Sequence, residues 1–171
     1  MSGDGATESL GVIVFRLCGQ IFGLPVGSVR EVVPIVWLET PPRMPAMVRG
    51  ILNLGGRAVP ILRLDRLLGL GDGCYGLDAS ILIMRGGEAQ ATLGLLVEHV
   101  DGVRADEDFT SLGLQSGQSF NDCLSDQLDR AGQRLSLLSW RHILLAEERV
   151  RLAEFQAEAQ ARLAGFDGAM R

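Results

Sequence analysis

Short apolar runs, bounded by glycine, proline or charged residues, fill most of the chain up to residue 144. Runs of about 4–8 residues that are rich in valine, isoleucine and leucine are typical of β-strands. A turn at residues 19–20 joins the first two runs into a hairpin. The pattern predicts strands over these segments: 11–18, 21–26, 33–38, 80–85, 91–97 and 134–139.

The segment 48–65 carries the clearest hairpin signal. Gly55 and Gly56 separate two apolar stretches, and consecutive glycines tolerate the positive φ values that two-residue hairpin turns require. Pro60 lies in the second stretch. Because proline has no amide hydrogen to donate, we expect its strand to lie at an edge or a barrel rim at that point.

Two short helical turns are predicted between the strands. Ser28 can cap a turn over residues 29–32, and Asp65 can cap a short helix over residues 66–70. In each case a side-chain oxygen can accept a hydrogen bond from one of the first free amides of the turn. Glycine-rich or polar composition predicts loops over three further segments: 69–76, 86–88 and 101–122.

The chain also repeats its own pattern. Residues 54–68 and residues 130–144 contain a turn, a strand and the start of a helical turn in the same order. Residues 22–26 parallel residues 93–97 in the same way. Because hairpins must cover their edges, two similar halves predict two small barrel-like β-lobes and a mainly β fold class.

The C-terminal segment has the period of a helix. Glu147–Arg151 and Glu158–Arg162 are spaced for ion pairs along a helix, and Gly165 can end it. We expect the apolar face of this amphipathic helix to pack on the lobes, with a partner protein as the alternative. The residues predicted to share that face are Leu145, Leu152, Phe155, Ala159, Leu163 and Phe166.

These elements predict a simple organisation. We expect a disordered tail at residues 1–9, a β domain at residues 10–144 and a helix at residues 145–166. Within the β domain, the two lobes are expected to follow one another in sequence, at residues 10–70 and 78–144.

The charge and composition exclude some functions. The chain has 171 residues, a net charge of −5 and 16 basic residues, all of them arginine. Nucleic-acid binding requires clustered positive charge and is favoured by stacked aromatic side chains, and this acidic, aromatic-poor chain offers neither. No apolar run reaches the roughly 18 residues of a membrane helix, and the N-terminus does not resemble a signal peptide. We therefore expect a cytoplasmic protein without direct membrane insertion.

The residue types that most often carry chemistry are sparse. Cys18, Cys74 and Cys123 are odd in number and far apart, which predicts reduced thiols rather than a disulfide framework. His99 and His142 have no neighbours at the sequence spacing of a triad or a metal site.

Two loops invite a comparison with ligand-binding motifs. Residues 69–73 lack the Lys-Ser/Thr pair of a P-loop, and residues 106–108 lack the alternating oxygen ligands of an EF-hand. The sequence therefore predicts no catalytic residue, no metal site and no cofactor, and so a protein that is not an enzyme. The alternative is a small ligand-binding or enzymatic β-barrel protein, which would require a pocket with convergent polar groups.

The segment 49–64 resembles the central motif of the CheW family of chemotaxis adaptors. That motif is Arg-Gly, two apolar residues, Asn-Leu-Arg-Gly, and then a proline and a closing Asp-Leu. Residues 22–32 resemble an earlier segment of the family, and the whole resemblance spans residues 12–144, more strongly in the first half. The residues of the central motif that match in register are Arg49, Gly50, Asn53, Leu54, Gly56, Pro60 and Leu64.

The resemblance implies a non-catalytic signal-transduction adaptor made of two SH3-like β-barrels. It implies two partners, the regulatory domain of a CheA-type histidine kinase and the cytoplasmic tip of a chemoreceptor of the methyl-accepting type. The plainer alternative is that Asn53 only hydrogen-bonds its own turn while the arginines are solvated. The residues implied for partner binding are Glu31, Arg49, Asn53, Leu54, Gly55, Gly56 and Arg57.

Two positions depart from the family motif. Gly55 stands where the family has arginine, and Arg63 stands where it has aspartate, which reverses the charge. Arg57 lies two residues from the missing arginine and is the candidate to replace its charge. These two departures therefore predict that the chain differs from the family mainly in how it binds a receptor.

Overall fold

The computed structural model describes residues 11–86, 92–114, 123–144 and 146–169. The described part is mainly β with a long C-terminal helix, as the sequence predicts. The helices are α1 (Leu64–Leu67) and α2 (Ala146–Ala169). The strands are β1 (Gly11–Leu17), β2 (Gln20–Pro25), β3 (Val29–Pro34), β4 (Val48–Leu54), β5 (Arg57–Arg63), β6 (Ser80–Met84), β7 (Gly94–Val97), β8 (His99–Ala105), β9 (Thr110–Ser111), β10 (Leu124–Arg130) and β11 (Gln133–Leu138).

The strands form two sheets, which are the two predicted β-lobes. The first lobe has the strand order β8-β1-β2-β11-β10-β9, and the second lobe has the order β3-β6-β7-β5-β4. The strands of the first lobe come from both ends of the β domain, while the second lobe takes the strands between them. The predicted consecutive lobes, 10–70 and 78–144, therefore differ from this arrangement, because the first hairpin pairs with strands that lie more than eighty residues away.

The two lobes repeat one pairing scheme, which explains the internal repeat in the sequence. In each lobe a hairpin lies beside a second hairpin through one parallel contact, β2 with β11 and β7 with β5. A glycine occupies the matching place in β2 and in β7. A Cβ atom at Gly23 would lie 2.5 Å from a methyl group of Val12, and one at Gly94 would lie 2.6 Å from a methyl group of Ile61. At these two positions, Gly23 and Gly94, the neighbouring strand therefore leaves no room for a side chain.

Two local predictions around strand β3 are wrong. Ser28 does not cap a turn over residues 29–32, because the 3-10 turn lies earlier, at Val26–Ser28, and β3 begins at Val29. The Ser28 hydroxyl instead donates to the carbonyl of Pro25 at 2.6 Å. The predicted strand at 33–38 is also displaced, since pairing with β6 fixes the strand at Val29–Pro34.

Sequence patterns also missed strands β8, β9 and β10, of which β8 has the most remote partner. The predicted loop at 101–122 contains most of β8 and all of β9, while β10 was not predicted. Strand β8 is rich in polar residues and is ordered by pairing with β1, which local composition does not reveal. The first turn lies at Cys18–Gly19 rather than at residues 19–20, since Leu17 pairs with Gln20. Of the predicted turn at 86–88, residues 87–88 lie outside the described part of the chain.

Helix α2 packs on the lobes with one face, as predicted. Leu152, Phe155 and Ala159 are buried in the main hydrophobic core. Phe166 was expected on the same face but is 77% exposed, because it lies beyond the last buried turn. The helix also continues past Gly165 to Ala169 instead of ending there.

The ion pair predicted between Glu158 and Arg162 is present at 3.7 Å. The other predicted pair, Glu147–Arg151, and the packing of Leu145 involve side chains outside the described part.

The outer strands of the second lobe are joined by a short backbone contact. After β3 the chain runs back to β4, where Glu39 and Ile51 exchange two hydrogen bonds of 3.0 and 2.8 Å. Gly50 lies directly beneath this contact. A Cβ atom there would lie 2.7 Å from the Cβ of Leu38 and 2.9 Å from the carbonyl oxygen of Glu39.

We predict that Gly50→Ala lowers the free energy of unfolding by about 2 kcal/mol, since the backbone at Leu38 and Glu39 must move. Urea denaturation followed by circular dichroism measures the change. The matched control is Gly27→Ala, because a Cβ atom at Gly27 meets no atom of the described structure within 4 Å. Equal effects of the two substitutions would show that the contact at Gly50 contributes nothing.

Candidate functional site

The best candidate for a binding site is the tip of the β4–β5 hairpin, residues 53–57. Gly55 and Gly56 form the two-residue turn with φ values of 60° and 86°, so both adopt the left-handed conformation that the sequence predicted. The side-chain oxygen of Asn53 accepts a hydrogen bond of 2.9 Å from the amide of Gly56. The turn role considered for Asn53 is therefore present, and it gives the hairpin tip a fixed shape.

The structure brings together only part of the predicted site. Asn53, Gly55, Gly56 and Arg57 are exposed and adjacent, and Leu54 is half-buried beside them. This leaves the turn and the Arg57 side chain as the accessible chemistry of the tip.

The other two predicted residues lie away from the tip. Arg49 is exposed near the start of β4, at the opposite end of that strand. Glu31 is on β3, which three strands separate from β4 in the pairing order, and its carboxylate lies 3.7 Å from Arg30. Glu31 and Arg49 therefore occupy strand positions other than the hairpin tip, Glu31 on a different strand and Arg49 at the far end of β4.

Helix α2 holds the hairpin tip from behind, a contact that sequence reasoning missed. The side-chain oxygen of Gln160 accepts from the amide of Ala58 at 2.9 Å, and its amide donates to the carbonyl of Gly56 at 3.2 Å. Gln156 donates to the carbonyls of Ala58 and Thr92, each at 3.2 Å. The two glutamines flank Arg57 in this way and fix the backbone on both sides of it.

The glutamines occupy a gap in the sheet. Pairing of β5 with β7 begins only at Ile61, so among the described residues no strand pairs with the preceding part of β5 on that side. Pro60 lies in this gap, which agrees with the expected edge position. Buried backbone groups require partners, and the glutamine side chains supply them. The spacing of two amide side chains four residues apart on one helical face was the available signal in the sequence.

An open groove separates the end of α2 from the hairpin. Its volume is about 540 Å³, and apolar atoms of Ile51, Ala58, Leu163 and Phe166 form much of its wall. The groove suits a chain segment with apolar side chains and a few polar ones, because Glu39, Asn53 and Arg162 line it beside the apolar wall.

An exposed apolar pair marks another place on the rim of the second lobe. Trp37 is 84% exposed and Leu77 is 97% exposed. They lie on neighbouring segments, since the amide of Ile35 donates to the carbonyl of Ala79 at 3.0 Å. Exposed tryptophan is enriched at protein interfaces, so this pair is a second candidate contact surface. This surface was not predicted, because residues 33–38 were expected to form a strand.

The charge reversal at Arg63 has a local explanation. Its guanidinium donates to the carboxylate of Asp65 at 2.7 Å and to that of Asp72 at 3.0 Å. Asp65 is fully buried and also accepts from the amide of Gly73 at 2.9 Å. Asp65 therefore does not cap a helix at 66–70 as predicted. It lies inside α1, which begins at Leu64, and it ties the loop after α1 to β5.

The electrostatics of this cluster favour the charged carboxylate. Burial alone would raise the pKa of Asp65, but the hydrogen bonds from Arg63 and Gly73 outweigh it and hold the pKa below the ordinary value. The pKa of Arg63 is raised by its hydrogen bond to Asp65. The pair is therefore ionised at neutral pH and serves the fold.

The two histidines make local contacts. His99 Nε2 lies 3.4 Å from a carboxylate oxygen of Asp101, and His142 Nδ1 lies 2.9 Å from the hydroxyl of Ser139. The second contact joins the ends of a single 3-10 turn at Trp140–His142. Within the described ranges, no three side chains of the His, Cys, Asp or Glu type come together as metal ligands. The same ranges contain no helix with the length and hydropathy to cross a bilayer.

Comparison with known proteins adds to this geometry. The sequence profile of the CheW-like domain matches residues 11–144, which include the strands of both lobes. Among solved structures, the chain is similar to the scaffolding protein TtCheW from Thermoanaerobacter tengcongensis, with a TM-score of 0.70 and 19% sequence identity. The alignment covers 86% of this chain and 96% of that one, and at this identity it shows the fold. No curated protein sequence matches the chain.

Proposed function

From the premise that this chain belongs to the CheW-like domain family, we propose that it couples chemoreceptors of the methyl-accepting type to a CheA-type histidine kinase. It acts as a non-catalytic adaptor in chemotaxis or a chemotaxis-like pathway, and it works in the cytoplasm beside receptor arrays. The observation that carries the proposal is the match of the family profile across both lobes, 11–144.

The structure supports an adaptor through the kind of surface that it offers. The hairpin tip is exposed, rigid and held by α2, and such a preformed loop binds a partner with little loss of conformational entropy. The groove beside the tip is walled largely by apolar atoms, with Glu39, Asn53 and Arg162 as its polar members. A protein partner therefore suits this surface better than a small substrate.

Arg57 is the residue that we propose as the main contact of the hairpin tip. It is exposed, it directly follows the Gly55–Gly56 turn, and its backbone neighbours are fixed by Gln160. Gly55 carries no side chain, so the arginine of the family motif is absent at the turn itself. Arg57 is the first residue of β5, directly after the turn, and supplies the cation that a receptor carboxylate can bind.

We predict that Arg57→Ala weakens binding to a receptor-tip fragment about tenfold, as expected for an arginine at the centre of an interface. We also propose that the kinase regulatory domain binds a separate face of the lobes, so its affinity should stay unchanged. Isothermal titration calorimetry with each partner from the same organism measures both affinities.

The control variant is Arg134→Ala. Arg134 is an exposed arginine beside the equivalent turn of the other lobe, where Ala131 and Gly132 also have positive φ values. Receptor affinity should not change in this variant. If the wild-type chain binds neither partner, the adaptor function is wrong although the fold stands. If it binds the kinase alone, the chain occupies the kinase without coupling it to a receptor.

A further inference from the structure

The backbone amides of two cysteines that are far apart in sequence donate hydrogen bonds to the same carboxylate oxygen. Oε1 of Glu98 accepts a hydrogen bond of 3.2 Å from the amide of Cys18 and one of 2.8 Å from the amide of Cys74. The two amide nitrogens are therefore at most 6.0 Å apart, the sum of those distances. Disulfides join residues whose Cα atoms are about 4.4–6.8 Å apart, and this placement is compatible with that range.

The two cysteines belong to different lobes. Cys18 lies in the β1–β2 turn of the first lobe, with a φ of 50° that is unusual for a residue other than glycine. Cys74 lies in the loop between α1 and β6 of the second lobe. Glu98 stands between β7 and β8, where the chain passes from the second lobe to the first. A bond between these cysteines would thus join the lobes at the place where the chain itself crosses.

The surroundings assign different roles to the two thiols. Cys18 is half-buried, and burial together with the charges of Glu98 and Asp65 raises the pKa of its thiol, so little of it is thiolate at neutral pH. Cys74 is exposed and can meet an oxidant from solution. Because Cys74 is the accessible thiol and Cys18 the more shielded one, Cys74 is the first to react with an oxidant and Cys18 the second.

We propose that Cys18 and Cys74 form an oxidation site at which a hydroperoxide produces a disulfide between the two lobes. The Cys74 thiolate attacks the terminal oxygen of the hydroperoxide, the O–O bond breaks, and an alcohol or water leaves with the proton. Cys74 is then a sulfenic acid. The Cys18 sulfur attacks the Cys74 sulfur, the S–O bond breaks, and hydroxide takes the Cys18 proton to leave as water. In total, two thiols lose two electrons and the hydroperoxide is reduced.

The test uses the purified full-length chain, fully reduced and treated under native conditions with a few equivalents of hydrogen peroxide. We expect two of the three thiols to disappear and non-reducing peptide mapping to show one linked peptide that contains Cys18 and Cys74. Dithiothreitol should restore both thiols. The matched control is Cys123→Ser, which removes a buried cysteine and should leave the linkage intact.

Two further variants separate the steps. In Cys18→Ser, Cys74 should remain as a sulfenic acid that dimedone traps, and in Cys74→Ser, Cys18 should keep its thiol at the same dose. The proposal is overturned if wild-type Cys74 is converted to sulfinic acid, or links two copies of the chain, while Cys18 remains a thiol. Peptide mapping of the wild type alone distinguishes these outcomes, even if a variant fails to fold.

Discussion

Replacing Arg63 with alanine is expected to lower the free energy of unfolding by about 3 kcal/mol at neutral pH. The substitution leaves the fully buried carboxylate of Asp65 without its cation, and only neutral donors such as the Gly73 amide remain. A buried charge that loses its partner is among the costliest defects in a folded protein, because water no longer solvates it. Chemical denaturation monitored by circular dichroism gives the free-energy difference directly.

The chain provides a matched control for this substitution. Arg66 also faces Asp72, at 3.5 Å, but both side chains are largely exposed. Such surface pairs contribute little, so Arg66→Ala should cost less than about 1 kcal/mol. The double variant Arg63→Ala/Asp65→Asn removes the buried charge and should recover part of the loss. If Arg63→Ala and Arg66→Ala are equally mild, Asp65 is solvated in solution and the buried pair is not as described.

The pH dependence of the effect follows from the lowered pKa of Asp65. In the wild type the ion pair contributes stability above the ordinary aspartate pKa, near 3.8, and this contribution is lost as the pH falls through the lower pKa of the folded state. Without Arg63, burial raises the pKa of Asp65 instead, so protonation at acidic pH removes the defect. The difference between wild type and Arg63→Ala should therefore shrink as the pH falls toward 4.

The β1–β2 and β4–β5 hairpins were predictable because their signals are local. Gly55–Gly56 sets the turn of the β4–β5 hairpin through its backbone conformation alone, and Asn53 reinforces that turn within the same four residues. Strand β8 gave no such signal, since its polar residues become a strand only by pairing with β1, more than eighty residues earlier. The order of strands in the lobes could not be predicted for the same reason, because the parallel contacts join segments that hairpin patterns do not connect.

The candidate site shows the same division between local and remote information. The exposed glycines and Arg57 of the hairpin tip could be read from the motif, whereas the support from Gln156 and Gln160 depends on where α2 lies. Periodicity predicted the helix and its apolar face, but where that face packs on the sheets depends on the tertiary structure. Asp65 was misjudged similarly, because a capping role and a buried ion pair require the same residue type.

The packing of α2 leads to the second large effect. Phe155→Ala is expected to lower the free energy of unfolding by about 3 kcal/mol, since truncating a buried phenylalanine loses its transfer energy and leaves a cavity. Phe155 is 7% exposed and lies with Leu152 and Ala159 in the core that both lobes share. Thermal and urea denaturation of the variant measure the loss. Because a domain of this size is typically stable by about 5–15 kcal/mol, the variant should remain folded.

Phe166→Ala is the control on the same helix, with the same side chain removed at a site that is 77% exposed. It should change the free energy of unfolding by less than about 0.5 kcal/mol. A large effect of Phe155→Ala with none from Phe166→Ala means that α2 belongs to the folded core. The hydrogen bonds from α2 to the hairpin tip are then part of the folded protein in solution. If both variants are as stable as the wild type, α2 detaches in solution. Its apolar face would then be available to a partner, and Gln160 could not hold the backbone around Arg57.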